Sequence, residues 1–204
     1  MPEKVILYNV PSVSEYSTIQ NIHTGETLKM QRVREASGLV YLTLDGSLPS
    51  GGKGPPLHKH VMEVEEGVVA SGTLGAAVDG KKVVIAAGGS ASFPDGVVHS
   101  WWNEGEDTLL FNGRATPVVD LDRFLQALFA VINAGEAGKR PPMFYLAHVL
   151  WRHRRTQVIV APPFAVQRIV FPLVLLVGHL LGKYRGDGWP GAPSSCPGAP
   201  EVRA

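Results

Sequence analysis

Two stretches decide how this chain is read. The first runs Gly52-Lys53-Gly54-Pro55-Pro56-Leu57-His58-Lys59-His60-Val61-Met62-Glu63-Val64-Glu65-Glu66-Gly67-Val68-Val69-Ala70-Ser71-Gly72. The second runs Gly88-Gly89-Ser90-Ala91-Ser92-Phe93-Pro94-Asp95-Gly96-Val97-Val98-His99-Ser100-Trp101-Trp102-Asn103. His58 and His60 stand two apart, a spacing that on a strand puts both imidazoles on one face and Lys59 on the other. Glu65 follows after a gap that allows a bend. His99 comes after the turn signal Pro94-Asp95-Gly96. If the intervening strands return His99 to the pair, three imidazoles and a carboxylate meet. Imidazole suits Fe, Ni, Cu and Zn, and a carboxylate also accepts Mn. On a six-coordinate ion, four protein donors leave two positions for water, oxygen or substrate, the mark of a catalytic rather than a structural site.

Outward from these stretches the chain reads as short strands. Segments 27–33, 39–44, 68–71, 74–78, 82–86 and 109–111 are rich in Val, Ile, Leu and Thr. Between them lie Ala36-Ser37-Gly38, Asp45-Gly46, Asp79-Gly80, Ala87-Gly88-Gly89, Asp95-Gly96 and Asn103-Glu104-Gly105. Strands this short, with Gly punctuation throughout, predict an all-β sandwich or barrel.

The residues also carry a resemblance. Gly52, His58, His60, Glu65 and Gly72, then Gly88, Pro94, Gly96, His99 and Asn103, stand at the positions and gaps of both halves of the cupin signature. The chain therefore resembles the cupin superfamily over residues 27–115. The resemblance implies a mainly β fold, a double-stranded β-helix or jelly-roll barrel, here followed by C-terminal α-helices. It implies that His58, His60, Glu65 and His99 hold one divalent metal ion, with Fe, Mn, Ni, Zn and Cu not distinguished. Glu63 and Glu66 are rival carboxylates, and the signature's gaps favour Glu65. The resemblance names no reaction, because one scaffold hosts many functions.

The departures from the family pattern point to a pocket. Gly67 stands where cupins usually place a bulky aromatic that helps fill the barrel. Ala70, Ser71, Gly75, Ala76 and Ala77 are small as well. Such a lining is either loosely packed or roomy. Alternation puts Trp101 on the face of His99, where it lines the cavity or fills the core. Tyr41 is the one candidate for a general acid, against the plainer reading of a half-buried barrel tyrosine.

After residue 117 the period changes. Asp120 stands as an N-cap before Leu121, Phe124, Leu125, Leu128, Phe129 and Ile132, a helical stripe. Segments 143–155 and 164–184 are further helices, the last kinked or broken at Pro172. The division expected is an N-terminal arm at 1–26 with a strand at 4–10, a barrel at 27–117, a helical extension at 118–185 and a loose tail at 186–204. The third helix falls short of the roughly 20 apolar residues that span a membrane, which favours packing on protein over membrane contact.

Charge separates the two halves. The whole chain has 19 Lys and Arg against 18 Asp and Glu, no basis for nucleic-acid binding. Residues 1–119 carry 9 basic against 13 acidic groups, and residues 120–185 carry 9 against 3. The single cysteine, Cys196, excludes a disulfide framework and a Cys-rich zinc site. With no leader-like apolar stretch, the expected compartment is the cytoplasm, with membrane association through the basic helices as an addition. Exposed sheet edges make a homodimer the expected assembly. The function expected is a metal-dependent cupin enzyme acting on a small organic molecule, as oxygenase, isomerase, cyclase or decarboxylase. A non-catalytic binding or sensor cupin, and a membrane-surface or assembly protein, are the alternatives.

Overall fold

The computed structural model describes residues 16–186 and 188–192; the strand expected at 4–10 lies outside them. Eleven strands and three helices follow in chain order. They are β1 (Ser17–Gln20), β2 (Thr27–Arg34), β3 (Val40–Leu48), β4 (His58–His60), β5 (Val64–Ser71), β6 (Thr73–Val78), β7 (Lys81–Ala86), β8 (Ser90–Phe93), β9 (His99–Asn103), β10 (Leu109–Thr116), α1 (Leu121–Asn133), α2 (Met143–Arg152), β11 (Gln157–Ile159) and α3 (Phe164–Leu180). The strands form two antiparallel sheets, β1-β2-β3-β10-β5-β8 and β11-β4-β9-β6-β7. The fold is the mainly β jelly roll with C-terminal helices that the sequence predicts.

Local chemistry explains the hairpins. Asp79 and Gly80 join β6 to β7 with positive φ at both positions, 48° and 75°, and Val78 pairs with Lys81. That is the two-residue turn whose twist matches its strands. Asp45-Gly46, expected as a turn, instead lies inside β3. Gly46 pairs with Phe111, whose ring occupies the space a Cβ at position 46 would need.

Two buried clusters hold the sheets and helices together. Leu48, Val69, Leu74 and Leu109 meet between the two sheets, with Trp101 and Phe111 against them. Leu28, Met30, Leu42, Leu44 and Ala115 pack instead with Leu121, Phe124, Phe129 and Val131 of α1. The stripe read from the sequence of α1 thus covers the part of the six-stranded sheet that the second sheet leaves open. Fully burying one such side chain is worth roughly 1.5–3 kcal/mol, so the extension is integral to the core.

Three expectations for the extension are corrected. Asp120 flanks α1 without capping it through its side chain; its carboxylate accepts from His153 Nδ1 at 2.6 Å. Glu63 takes over, its Oε1 accepting from the backbone N–H groups of Val119 at 2.8 Å and Leu121 at 3.4 Å. The division at 117 is crossed as well, because β11 pairs with β4, with Gln157 opposite His60 and Ile159 opposite His58. The tail is not wholly loose. The Trp189 ring stacks on Tyr145 at 5.8 Å, and Ala192 is buried.

Helix α3 packs Gln167, Phe171 and Gly178 inward and runs through Pro172 without ending there. Its opposite face is apolar and open, with Ile169 66%, Leu173 56%, Leu176 56% and Leu180 76% exposed. Among the described residues no helix is long and apolar enough to cross a membrane.

Candidate metal centre

The four sequence candidates come from three strands in two facing sheets. His58 and His60 lie on β4, His99 on β9 beside it, and Glu65 on β5 of the other sheet. His58 pairs directly with His99 in the ladder. Period-two alternation turns His58 and His60 inward and leaves Lys59 between them facing away. One donor atom from each of His58, His60, Glu65 and His99 lies within 4.8 Å of the others. His58 Nε2 is 3.2 Å from His60 Nε2, and Glu65 Oε2 is 3.3 Å from His60 Nε2 and 3.6 Å from His99 Nε2.

Each imidazole is oriented from behind. His58 Nδ1 donates to the Pro56 carbonyl at 2.9 Å, His99 Nδ1 to the Val97 carbonyl at 3.0 Å and His60 Nδ1 to Gln157 Oε1 at 2.5 Å. These bonds place the proton on Nδ1 and leave the Nε2 lone pairs converging with the Glu65 carboxylate, the orientation that ligating histidines adopt. His99 Nε2 is fully buried with no hydrogen-bond partner. An unsatisfied buried nitrogen costs roughly 1–3 kcal/mol, and a cation among these donors would remove that cost. Phe93 stacks on the His99 ring, with centroids 4.5 Å apart and planes 6° from parallel. The donor set fits a metal ion.

The electrostatics favour the ligating forms of His58 and Glu65, and the protonated form of His60. Burial, with help from His99 and His60, pushes His58 down to about 4, so its imidazole is neutral at ordinary pH. Burial alone would raise the Glu65 carboxyl, but the neighbouring His60 and His99 imidazoles hold it well below the usual carboxylate range. Burial works to lower His60, and its bonds to Glu65 and Gln157 carry it above its ordinary value.

The rivals of Glu65 face elsewhere. Glu66 is on the outer face and pairs with Arg114 at 3.1 Å. Glu63 is 1% exposed but points to the start of α1 and to Gln157, whose Nε2 donates to Glu63 Oε2 at 2.5 Å. Tyr41 does not belong to the site. On β3 it is Leu42 and Leu44 that are buried inward, while the Arg114 guanidinium lies over the Tyr41 ring at 5.5 Å on the outer face. A general acid at Tyr41 is therefore excluded by strand alternation.

A cavity of about 340 Å³ opens from the cluster. Gly67 and Trp101 both line it. On the inner face Gly67 pairs with Ala91 and Gly113, so three small residues stand side by side two positions beyond Glu65. Trp101 packs edge-to-face on Phe111 at 5.1 Å, which makes it both cavity wall and core. Its lining also includes Phe124, Leu128 and Phe129 of α1, and Asn21 and Glu26. The sequence carries no local signal for Gln157 or Glu26. Glu63 is legible only as a rival ligand.

Residues 45–112 match the family described as Cupin domain. The chain is 33% identical over 124 residues to the oxidoreductase iacF of Pestalotiopsis fici, covering 56% of this chain and 59% of that protein. The chain thus spans less than two thirds of the length of that curated relative. Among solved structures it is similar to KdgF from Halomonas sp., with 17% identity, TM-score 0.42, and coverage of 53% of this chain and 91% of the other. A second is an RmlC-like cupin from Shewanella frigidimarina, with 21% identity, TM-score 0.39, and coverage of 49% and 83%.

Proposed function

Starting from a chain that belongs to the cupin superfamily through residues 45–112, we propose that it is a metal-dependent enzyme acting on a small organic molecule in the cytoplasm. His58, His60, Glu65 and His99 would hold one divalent ion, at the inner end of an apolar cavity. The observation that carries this reading is the convergence of three Nε2 lone pairs and one carboxylate, with His99 Nε2 buried and unpartnered. A bound divalent ion would supply Lewis acidity and, if redox-active, electron transfer. The name of the Pestalotiopsis relative supports oxidation over isomerisation, cyclisation or decarboxylation.

The chain's own residues do the rest. Glu65 offsets part of the cation's charge. Gln157 and the carbonyls of Pro56 and Val97 fix the three rings. Phe93 shields His99, and the apolar walls keep water from the reacting end. The test is elemental analysis of protein purified without a histidine tag, followed by an oxygen-consumption screen on the form found. The expected result is about one divalent ion per chain. His58→Ala with His60→Ala should abolish uptake, and Glu65→Gln should weaken it; undiminished metal in the double variant would sink the assignment.

A second reading concerns α3. Its open apolar face and the flanking Arg168, Lys183 and Arg185, with no acidic residue between 164 and 185, suit an anionic membrane surface. Flotation of the full chain with anionic but not neutral liposomes supports that contact. No flotation with either removes it.

A further inference from the structure

The cavity has polar groups at two ends and hydrocarbon between them. His58, His60 and Glu65 line it, and so do Asn21 and Glu26; the register sets Glu26 and Glu65 toward opposite ends of β3, since Thr27 pairs with Ser47 while Glu65 pairs through Ala115 with Leu42. The walls between include Leu44, Phe111, Phe124, Leu128, Phe129 and Leu150. Four of these six come from the helical extension, so the length of the cavity is set by the part of the chain outside residues 45–112.

Glu26 is the unexplained group. It precedes β2, and alternation with the buried Leu28 and Met30 turns it inward. The residue is 7% exposed. Among the described residues its carboxyl has no hydrogen-bond or ion-pair partner, and burial pushes it up to about 7. A carboxyl group placed this way is costly unless something pairs with it. The cavity is the space into which such a partner would fit.

We propose that the cavity binds an elongated, largely apolar small molecule whose near end lies at the histidine cluster and whose far end carries a polar group hydrogen-bonded by Glu26. The proposal deepens the enzyme reading, on which it rests only for the near end being the reacting end. A volume of about 340 Å³ falls in the range of small-ligand sites. Apolar walls would supply the affinity, and Glu26 would choose among ligands of equal length. A ligand lacking the distal group leaves a buried carboxyl unpaired, and that asymmetry is what makes a buried polar group selective.

The experiment uses the full chain with its metal content measured in parallel. Linear alkanols and the matching α,ω-diols are titrated by displacement of an environment-sensitive fluorescent dye. The diol of best-fitting length should bind roughly five- to tenfold more tightly than its alkanol, the worth of about one hydrogen bond. Glu26→Leu should abolish or invert that preference while keeping alkanol binding. Leu128→Trp, which fills the cavity from α1, should abolish binding of both probes and leave metal uptake unchanged. Failure of both probes to bind metal-loaded protein overturns the proposal, as does a diol preference that survives Glu26→Leu. Binding with the expected Glu26 dependence in protein that takes up no metal upholds the proposal and sinks the enzyme reading instead.

Discussion

His60 donates from Nδ1 to Gln157 Oε1 at 2.5 Å across 97 positions of sequence. Gln157 in turn donates to Glu63 at 2.5 Å and to Asp120 at 3.4 Å. A residue of the helical extension therefore orients a residue of the histidine cluster, and two carboxylates, Glu63 buried and Asp120 half-buried, fix which way its amide points. The extension reaches this position because β11 adds to the free edge of β4.

Gln157→Leu removes the acceptor for His60 and both donations to the carboxylates. Loss of such a supporting contact typically costs 10–100-fold in metal affinity. The expected outcome is a fall of that size in competition titrations against a chelator, with metal stoichiometry retained. Affinity equal to wild type would remove the orienting role.

Glu63→Gln, at a carboxylate the sequence marks only as a rival of Glu65, is expected to be damaging. The buried carboxylate accepts from Val119, Leu121 and Gln157, and an amide would turn a donor toward one of those donors. The expected loss is roughly 1–3 kcal/mol in urea unfolding. Glu66→Gln, at an exposed pair with Arg114, should stay within about 1 kcal/mol of wild type.

Truncation after Pro117 removes α1, α2, β11 and α3. Leu28, Met30, Leu42 and Leu44 would lose the α1 side chains that cover them, and β4 would lose its outer neighbour. The fragment should aggregate and retain less than stoichiometric metal, as read by gel filtration and elemental analysis. A monodisperse, fully loaded fragment would show that the extension is dispensable to the centre.

Glu26 makes stability depend on pH. Its carboxyl, raised from an ordinary 4.5 to about 7, keeps its proton in the fold where the unfolded chain has lost it. Between those values the folded state binds more protons, so this contribution to stability falls as pH rises. Glu26→Gln removes the dependence. The variant should gain on wild type by up to about 3 kcal/mol at about pH 8, and by far less at about pH 5, in unfolding titrations without ligand. An equal difference at both pH values would place the charge elsewhere.

The strand-rich fold and the four converging donors were legible because both rest on short-range rules. Period-two alternation puts His58 and His60 on one face, and the gaps around Glu65 and His99 match a known pattern. Tyr41 shows where such rules stop. Its strand was legible, but which face of β3 turned inward depended on the packing of Leu42 and Leu44. Asp45-Gly46 looked like a turn because a glycine's cause lies outside its own segment, here the Phe111 ring across the ladder. Gln157 carried no local mark, since a glutamine near a helix end is commonplace, and its value comes from pairing with β4 across 97 residues. Glu26 likewise became distinctive only in the fold, where it is buried at the lining of the cavity. Local periodicity fixes which side chains share a face, and that much was written in the sequence. Which faces meet, and which polar groups are left without water, follows from long-range burial, and only the tertiary structure decides it.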